Sequence, residues 1–158
     1  AIHTCGIIDT AILLGIEQMH KKDQEFSKKA MEELNVYGRV LKDILNLTVD
    51  ALENGDKDKA ILVQPMEDLM DSMNRELKKR HVKRLKKGKC TVELGISLSD
   101  ITDTYERISD HCSNVAVCII QGDDDEFEAH GYRKEQKLDE KAWFAKKYEE
   151  LEAEYALP

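Results

Sequence analysis

Apolar residues recur every three or four positions along most of the chain, a spacing typical of amphipathic helices packed on a core. The first such stripe lies between residues 25 and 54 and consists of Ala30, Leu34, Tyr37, Leu41, Ile44, Thr48 and Ala51. Asn54-Gly55 follows, where glycine suits the left-handed backbone after a helix. Asp56 or Asp58 can then cap the next helix. The pattern predicts a helix over about residues 25–54.

A second stripe extends to about residue 87. Its members are Leu62, Met66, Leu69, Met70, Met73, Leu77 and Leu85. Pro65 lies near the start of this stripe, and a proline inside a helix removes a backbone hydrogen bond and kinks the helix. We therefore expect that the second helix either begins near Pro65 or bends there.

The third stripe follows a break at Gly88, with Thr91 as a candidate cap and Gly122 as the end. It consists of Leu94, Leu98, Ile101, Tyr105, Ile108, Cys112, Val115 and Ile119. Two flanking segments also have helical spacing. They are an apolar stretch at residues 7–20 and a C-terminal stripe of Trp143, Phe144, Tyr148, Leu151 and Tyr155, both expected as appendages to the core.

These elements predict an all-α fold, an antiparallel three-helix bundle with extra N- and C-terminal helices. We assign residues 1–24 to an N-terminal helix or linker, residues 25–122 to the bundle and residues 123–158 to a C-terminal helical tail. Composition agrees, because charged residues make up 35% of the 158 and aromatic residues only 6%, a balance that favours helices.

Charge and cysteine usage narrow the function. The net charge of −8 argues against a nucleic-acid partner, since Lys and Arg contacts to phosphates supply most of that affinity. No apolar stretch is long enough to span a membrane, and the four cysteines lack the spacing of a zinc site or disulfide framework. The chain begins at Ala1 and not at a methionine, so we expect it to be a piece of a longer protein.

Residues 75–89 are strongly basic although the chain as a whole is acidic, and Glu76 is their single acidic residue. The basic residues are Arg75, Lys78, Lys79, Arg80, Lys83, Arg84, Lys86, Lys87 and Lys89. The simpler interpretation is a solvated helix end, where cations favour the negative pole of the helix dipole. The alternative is peripheral contact of residues 75–89 with an anionic membrane surface.

Four carboxylates are the main candidates for a binding site. Glu67 and Asp71 are four residues apart, as are Glu106 and Asp110, so each pair lies on one helix face. If the two helices form an antiparallel hairpin about Gly88, Glu67 lies level with Asp110 and Asp71 lies level with Glu106. The two levels are about 6 Å apart along the axis.

Asp103 and Asn114 extend the row on the third helix and are possible additional ligands. Carboxylates this close cannot all remain ionised without a counter-charge. A cation can supply it, and oxygen ligands without His or Cys suit Mg²⁺, Ca²⁺, Mn²⁺ or iron. The alternative is a plain solvated acidic face, partly neutralised by Arg75 and Arg107.

The residues around these carboxylates resemble the PhoU family. Asp103-Thr-Tyr-Glu106-Arg-Ile-Ser-Asp110-His-Cys-Ser-Asn114-Val-Ala is similar to the signature helix of that family, and Met66-Glu-Asp-Leu-Met-Asp71 is similar to the motif on its preceding helix. The resemblance covers about residues 25–122. It implies a three-helix bundle with metal sites of the Glu/Asp-x-x-x-Asp type, here at Glu67, Asp71, Glu106 and Asp110. The implied cofactor is a divalent or trivalent ion: iron, zinc, manganese or magnesium.

A single bundle with this kind of tail is similar to the cytoplasmic C-terminal region of bacterial sodium/phosphate cotransporter-like proteins. That resemblance implies a regulatory domain in phosphate transport and not an enzyme, placed at the cytoplasmic face of the cell membrane. The implied partners are the membrane-embedded transporter portion of the same protein and a second copy in a homodimer.

Two other classes of function stay open. One is a purely structural or dimerising bundle that uses the C-terminal aromatic stripe. The other is a ferritin-like di-metal oxidase, which needs Glu-x-x-His on two helices, whereas Glu106 is followed three residues later by Ser109. Surface positions are expected for four scattered histidines: His3, His20, His81 and His130.

Overall fold

The computed structural model describes residues 25–121 and 133–158, with side chains from residue 141 onward in the second range. The helices are α1 (Lys28–Asn54), α2 (Lys57–Ile61), α3 (Val63–Lys86), α4 (Val92–Gln121) and α5 (Arg133–Glu154). These described ranges contain helices and no strand, which confirms the all-α prediction. The helix predicted at residues 7–20 and the stop predicted at Gly122 lie outside them.

The boundaries of α1 follow from local capping. Ser27 caps its N-terminus, and Gly55 ends it in the left-handed conformation, with φ 62° and an N–H that donates to the Ala51 carbonyl. The side chain of Asp56 then accepts a hydrogen bond from the backbone N–H of Lys59 at 3.0 Å and starts α2. The predicted helix end at Asn54-Gly55 and the cap at Asp56 are confirmed.

Pro65 lies in the first turn of α3 and does not kink a longer helix. A turn at Leu62 separates α2 from α3, so Pro65 is the third residue of a helix that begins at Val63. The first backbone N–H groups of a helix have no intrahelical partner, and a proline there therefore removes no hydrogen bond. Of the two predicted alternatives, the helix that begins near Pro65 is the one found.

A tight turn joins α3 to α4. Gly88 has φ 64°, a conformation that glycine adopts without steric cost, and its N–H donates to the Leu85 carbonyl at 2.9 Å. The side chain of Thr91 accepts a hydrogen bond from the Leu94 backbone N–H at 3.3 Å. The predicted turn and cap are thus confirmed, and α3 and α4 run antiparallel.

The core lies where α1, α3 and α4 meet. Fully buried side chains come from all three helices and include Tyr37, Ile44, Met70, Leu77 and Leu98. Along α4 the most buried positions differ in part from the predicted apolar stripe. Four members of that stripe are only half-buried: Ile101, Ile108, Val115 and Ile119. The fully buried neighbours are Thr102 and Ser109, whose small side chains allow close helix approach.

The end of α5 belongs to the core, contrary to the expected appendage. Leu151 and Tyr155 are buried in the main apolar cluster. The Tyr155 hydroxyl donates to Oδ2 of Asp43 at 2.8 Å, and the Arg39 guanidinium lies 5.3 Å from the Tyr155 ring centre. Burial, and next the Asp43 carboxylate, raise the pKa of the Tyr155 hydroxyl. The C-terminal segment therefore contributes to folding.

His81 is buried, so the surface position predicted for it is wrong. Its imidazole packs against α4 at Gly95, where an added Cβ would lie 2.7 Å from Nε2 of His81. Sγ of Cys90 lies 3.7 Å from the same Nε2 atom. The absence of a side chain at Gly95 leaves the room that the ring occupies.

A buried ion pair ties the start of α1 to the end of α3. Glu33 is fully buried, and its two oxygens accept hydrogen bonds from Nη1 of Arg80 at 3.0 Å and from Nη1 of Arg84 at 2.7 Å. Arg80 also donates to the Pro158 carbonyl at 2.6 Å. A buried carboxylate needs such partners, since removing one member leaves an uncompensated charge.

We predict that Glu33→Gln lowers the free energy of unfolding by about 3 kcal/mol, because two arginines then lose their carboxylate. The neighbouring Glu32 is the matched control: it is half-exposed and 4.0 Å from Lys28, so Glu32→Gln should cost less than about 0.5 kcal/mol. Urea unfolding of both variants measures the difference. Equal stability of the two variants would show that the Glu33 pair contributes nothing.

Candidate metal centre

Polar residues of α3 and α4 form a row along the contact between the two helices, and their pairing shows the register of the helices. The Ser113 hydroxyl donates to Oε1 of Gln64 at 2.9 Å, and the Asn74 amide donates to Oδ1 of Asp103 at 3.4 Å. In both pairs the two residues are equally distant in sequence from the Gly88 turn. The register assumed for the carboxylates is therefore the register found.

Three of the four predicted ligands come together in this row. Carboxylate oxygens of Glu67, Asp71 and Asp110 all lie within 4.8 Å of one another. Glu67 and Asp71 are half-buried on α3, and Asp110 is exposed on α4. An ion between them would contact both helices of the hairpin.

Glu106, the fourth predicted ligand, lies beside the three and not among them. It accepts a hydrogen bond from the Asn74 amide and lies beside Asp71. Asn74 thus holds the Glu106 carboxylate next to the cluster.

The structure does not bring the two possible additional ligands into the cluster. Burial opposes ionisation of Asp103, but hydrogen bonds from Lys78, Ser99 and Asn74 outweigh burial and lower its pKa. Its negative charge is already matched by Lys78, with which it forms an ion pair. Asn114 is exposed, one turn beyond Asp110.

Negative charge is in excess at the Glu67 end of the row. Burial, and next the Asp71 carboxylate, raise the pKa of Glu67 to about 7. Burial also raises the pKa of Asp71, and the Arg75 guanidinium, at 3.9 Å, opposes this only in part. Arg107, the second arginine predicted to neutralise the row, is exposed and forms no ion pair within residues 25–121 or 141–158.

One oxygen of the cluster lacks a hydrogen-bond partner. Oδ1 of Asp71 is buried and accepts no hydrogen bond from any described residue. A buried oxygen without a partner is costly, and this one belongs to a carboxylate with two other carboxylates beside it. A cation bound by these oxygens would satisfy both the orphaned atom and the excess charge, so the residues present fit a metal ion.

Two residues that hold the row together were not predicted from the sequence. Gln64 donates to Oε2 of Glu67 at 2.6 Å and accepts from Ser113. Lys78 neutralises Asp103. Gln64 and Ser113 are equally distant in sequence from the Gly88 turn. The antiparallel register that pairs the carboxylates could therefore have predicted this pair as well.

The bundle and its paired carboxylates define an all-helical domain with a candidate cation site. The model of the PhoU domain matches residues 34–119, more than half of the 158 residues. The chain therefore belongs to the PhoU family, which indicates a regulatory role in phosphate homeostasis. No curated protein and no solved structure shows a significant match to the chain. Within the described residues, no helix is long and apolar enough to cross a membrane.

We predict that Glu67 makes the stability of the metal-free protein depend on pH. Its pKa is raised from 4.5 to about 7 on folding, so the stability that it contributes is present below pH 4.5 and is lost as the pH rises to about 7. Glu67→Gln should remove this loss. Urea unfolding across that window, in the presence of a chelator, measures the difference between wild type and variant.

The control for this pH dependence is Glu53→Gln, because Glu53 is exposed on α1. This variant should keep the wild-type profile. If Glu67→Gln also keeps the wild-type profile, the carboxylates do not crowd one another as described.

Proposed function

We propose that this PhoU-family domain regulates phosphate transport and that it binds a metal ion through Glu67, Asp71 and Asp110. Glu106, which lies beside Asp71 and accepts a hydrogen bond from the Asn74 amide, is the fourth ligand of this proposal. The observation that carries the proposal is the meeting of three carboxylates within 4.8 Å around the orphaned oxygen of Asp71.

The donor set favours a hard cation. All candidate ligands are carboxylate oxygens, which suit Mg²⁺, Mn²⁺ and iron, whereas zinc prefers sites that contain Cys or His. The described cluster contains neither. Since Glu67 has a pKa of about 7, metal binding near neutral pH would displace a proton from it, and affinity would increase with pH.

A regulatory role is supported over redox catalysis. In a ferritin-like oxidase a histidine three residues after the glutamate would bind the metal. Ser109 occupies that position, is fully buried and donates its hydroxyl to the Glu106 carbonyl at 2.7 Å. His111 is exposed. We infer that the ion acts as a crosslink between α3 and α4 and that the domain is not an enzyme.

The setting that fits this role is the cytoplasmic domain of a sodium/phosphate cotransporter-like protein, where the domain acts on the membrane-embedded transporter portion. The support is the sequence resemblance of a single bundle with a helical tail. The packing of Leu151 and Tyr155 into the core adds a physical route, because a change in the bundle would reach the tail directly. Coupling requires that metal occupancy changes the relative free energies of two helix arrangements.

The second candidate is a structural or dimerising bundle without a ligand. Its support is Trp143 in α5, a large apolar side chain that is 41% exposed. Exposed aromatic residues are common at subunit contacts. Metal analysis separates the two candidates, since a purely structural bundle gains no stability from a cation.

We predict that the chelated protein gains stability when Mn²⁺, Mg²⁺ or Fe²⁺ is added and that Asp71→Asn/Asp110→Asn abolishes this gain. At a free metal concentration about 100 times the Kd, the gain should be about 2.7 kcal/mol. Calorimetric titration and thermal melting with each metal measure binding and stabilisation.

The matched control is Glu53→Gln/Asp100→Asn, which removes two negative charges at exposed positions outside the cluster. It should retain the metal-dependent gain. Purified protein that carries no metal, together with melting that no added cation changes, would contradict the metal proposal and favour the structural bundle.

A further inference from the structure

The structure divides the basic segment at residues 75–89 into two groups. Five of its cations form ion pairs with acidic residues: Arg75 with Asp71, Lys78 with Asp103, Lys79 with Glu76, and both Arg80 and Arg84 with Glu33. The other four are Lys83, Lys86, Lys87 and Lys89. They are exposed and form no ion pair within the described ranges. The unpaired cations therefore gather at the end of α3 and in its turn to α4.

Apolar side chains are exposed at the same place. We call residues 82–96, which contain the end of α3, the turn and the start of α4, the hairpin tip. Val82 is 47% exposed, and Val92 and Ile96 are each 59% exposed. Together with Leu85 they line a groove of about 330 Å³ that is mostly apolar. A contiguous exposed apolar patch rimmed by polar residues is a feature of interaction surfaces.

We propose that the hairpin tip docks on an anionic membrane surface. A bilayer of this kind presents negative headgroups above an apolar layer, so it complements a tip that exposes both lysines and aliphatic residues. In this docked state Lys86, Lys87 and Lys89 contact headgroups, while Val92 and Ile96 enter the boundary with the acyl chains. Peripheral membrane binding is strongest where buried apolar area and attraction to anionic lipids act together, and the tip combines the two.

The charge distribution favours an orientation in which the hairpin tip faces the membrane. The whole chain has a net charge of −8, but Glu93 is the single acidic residue in the sequence of the tip. An anionic surface therefore repels most of the protein and attracts the tip. The carboxylate cluster would be held well away from the membrane, since Val92 and Asp110 are separated by roughly 27 Å along α4.

The inference goes beyond the proposed function and does not depend on it. The tip and the metal cluster share no residue, so membrane docking requires neither a metal ion nor a transporter in the same chain. Vesicle binding by both the chelated and the metal-loaded protein would separate the two proposals, because failure of either one leaves the other intact.

The test is co-sedimentation of the full chain with vesicles of phosphatidylcholine, with and without phosphatidylserine. Wild type should bind only the vesicles that contain phosphatidylserine, and added salt should weaken binding. Lys86→Gln/Lys87→Gln/Lys89→Gln should weaken binding by roughly 100-fold, because each lysine near an anionic surface contributes about 1 kcal/mol. Absence of wild-type binding at low salt would overturn the proposal.

A second variant tests the apolar contact. Val92→Gln/Ile96→Gln keeps every charge and should weaken binding by about tenfold, because two aliphatic side chains no longer leave water. Thermal melting verifies that the variant folds. Unchanged vesicle binding by this variant would overturn the insertion of the tip.

The matched control for charge is Lys42→Gln/Lys141→Gln/Lys146→Gln. It removes the same number of positive charges from exposed positions on α1 and α5. Vesicle binding should be unchanged from wild type. An equal loss of binding in this control would show that total charge, and not the hairpin tip, governs the interaction, which would also overturn the proposal.

Discussion

The antiparallel contact between α3 and α4 is the constraint on which the rest of the molecule depends. Gly88, with φ 64°, sets the turn, and the turn sets which residues of the two helices lie level. One side of this contact holds the core residues Met70 and Leu77, and the other holds the carboxylates. A shift of one residue in either helix would rotate its side chains by about 100°. The core and the candidate site therefore share one register.

The polar row along this contact changes character from one end to the other. Near the hairpin tip Lys78 neutralises Asp103, so the charges there are balanced without a bound ion. Near Glu67 the carboxylates outnumber the cations, and burial raises the pKa of Glu67 to about 7. The row also affects the core, because burial and then the negative charge of Glu106 raise the pKa of the Tyr37 hydroxyl. A positive counter-charge is therefore needed only near Glu67.

The parts of the structure that could be predicted from the sequence are those that local chemistry determines. Caps and breakers act within a few residues, so the boundaries at Gly55 and Gly88 followed from residue type. The meeting of Glu67, Asp71 and Asp110 followed from helix periodicity together with one turn. Each of these steps needs only spacing along the chain.

Tertiary partners determine what the sequence could not show. Glu33 has the pattern of a solvent-facing residue, and its complete burial depends on Arg80 and Arg84, which lie far along the chain. His81 is buried because of the space left at Gly95. Lys78 could not be distinguished from its basic neighbours until α4 brought Asp103 beside it. Periodicity reports the direction of a side chain, whereas its partners depend on how whole helices pack.

The two proposals give the two ends of the α3–α4 hairpin different roles. At the open end, a bound cation would offset the excess carboxylate charge. At the closed end, Gly88 holds the helices together, and the unpaired lysines and exposed aliphatic residues face outward. An ion between Glu67 and Asp110 would oppose separation of α3 from α4. The turn at Gly88 joins the two helices at the tip, so a membrane that holds the tip would leave the carboxylate end as the part that responds to a bound ion.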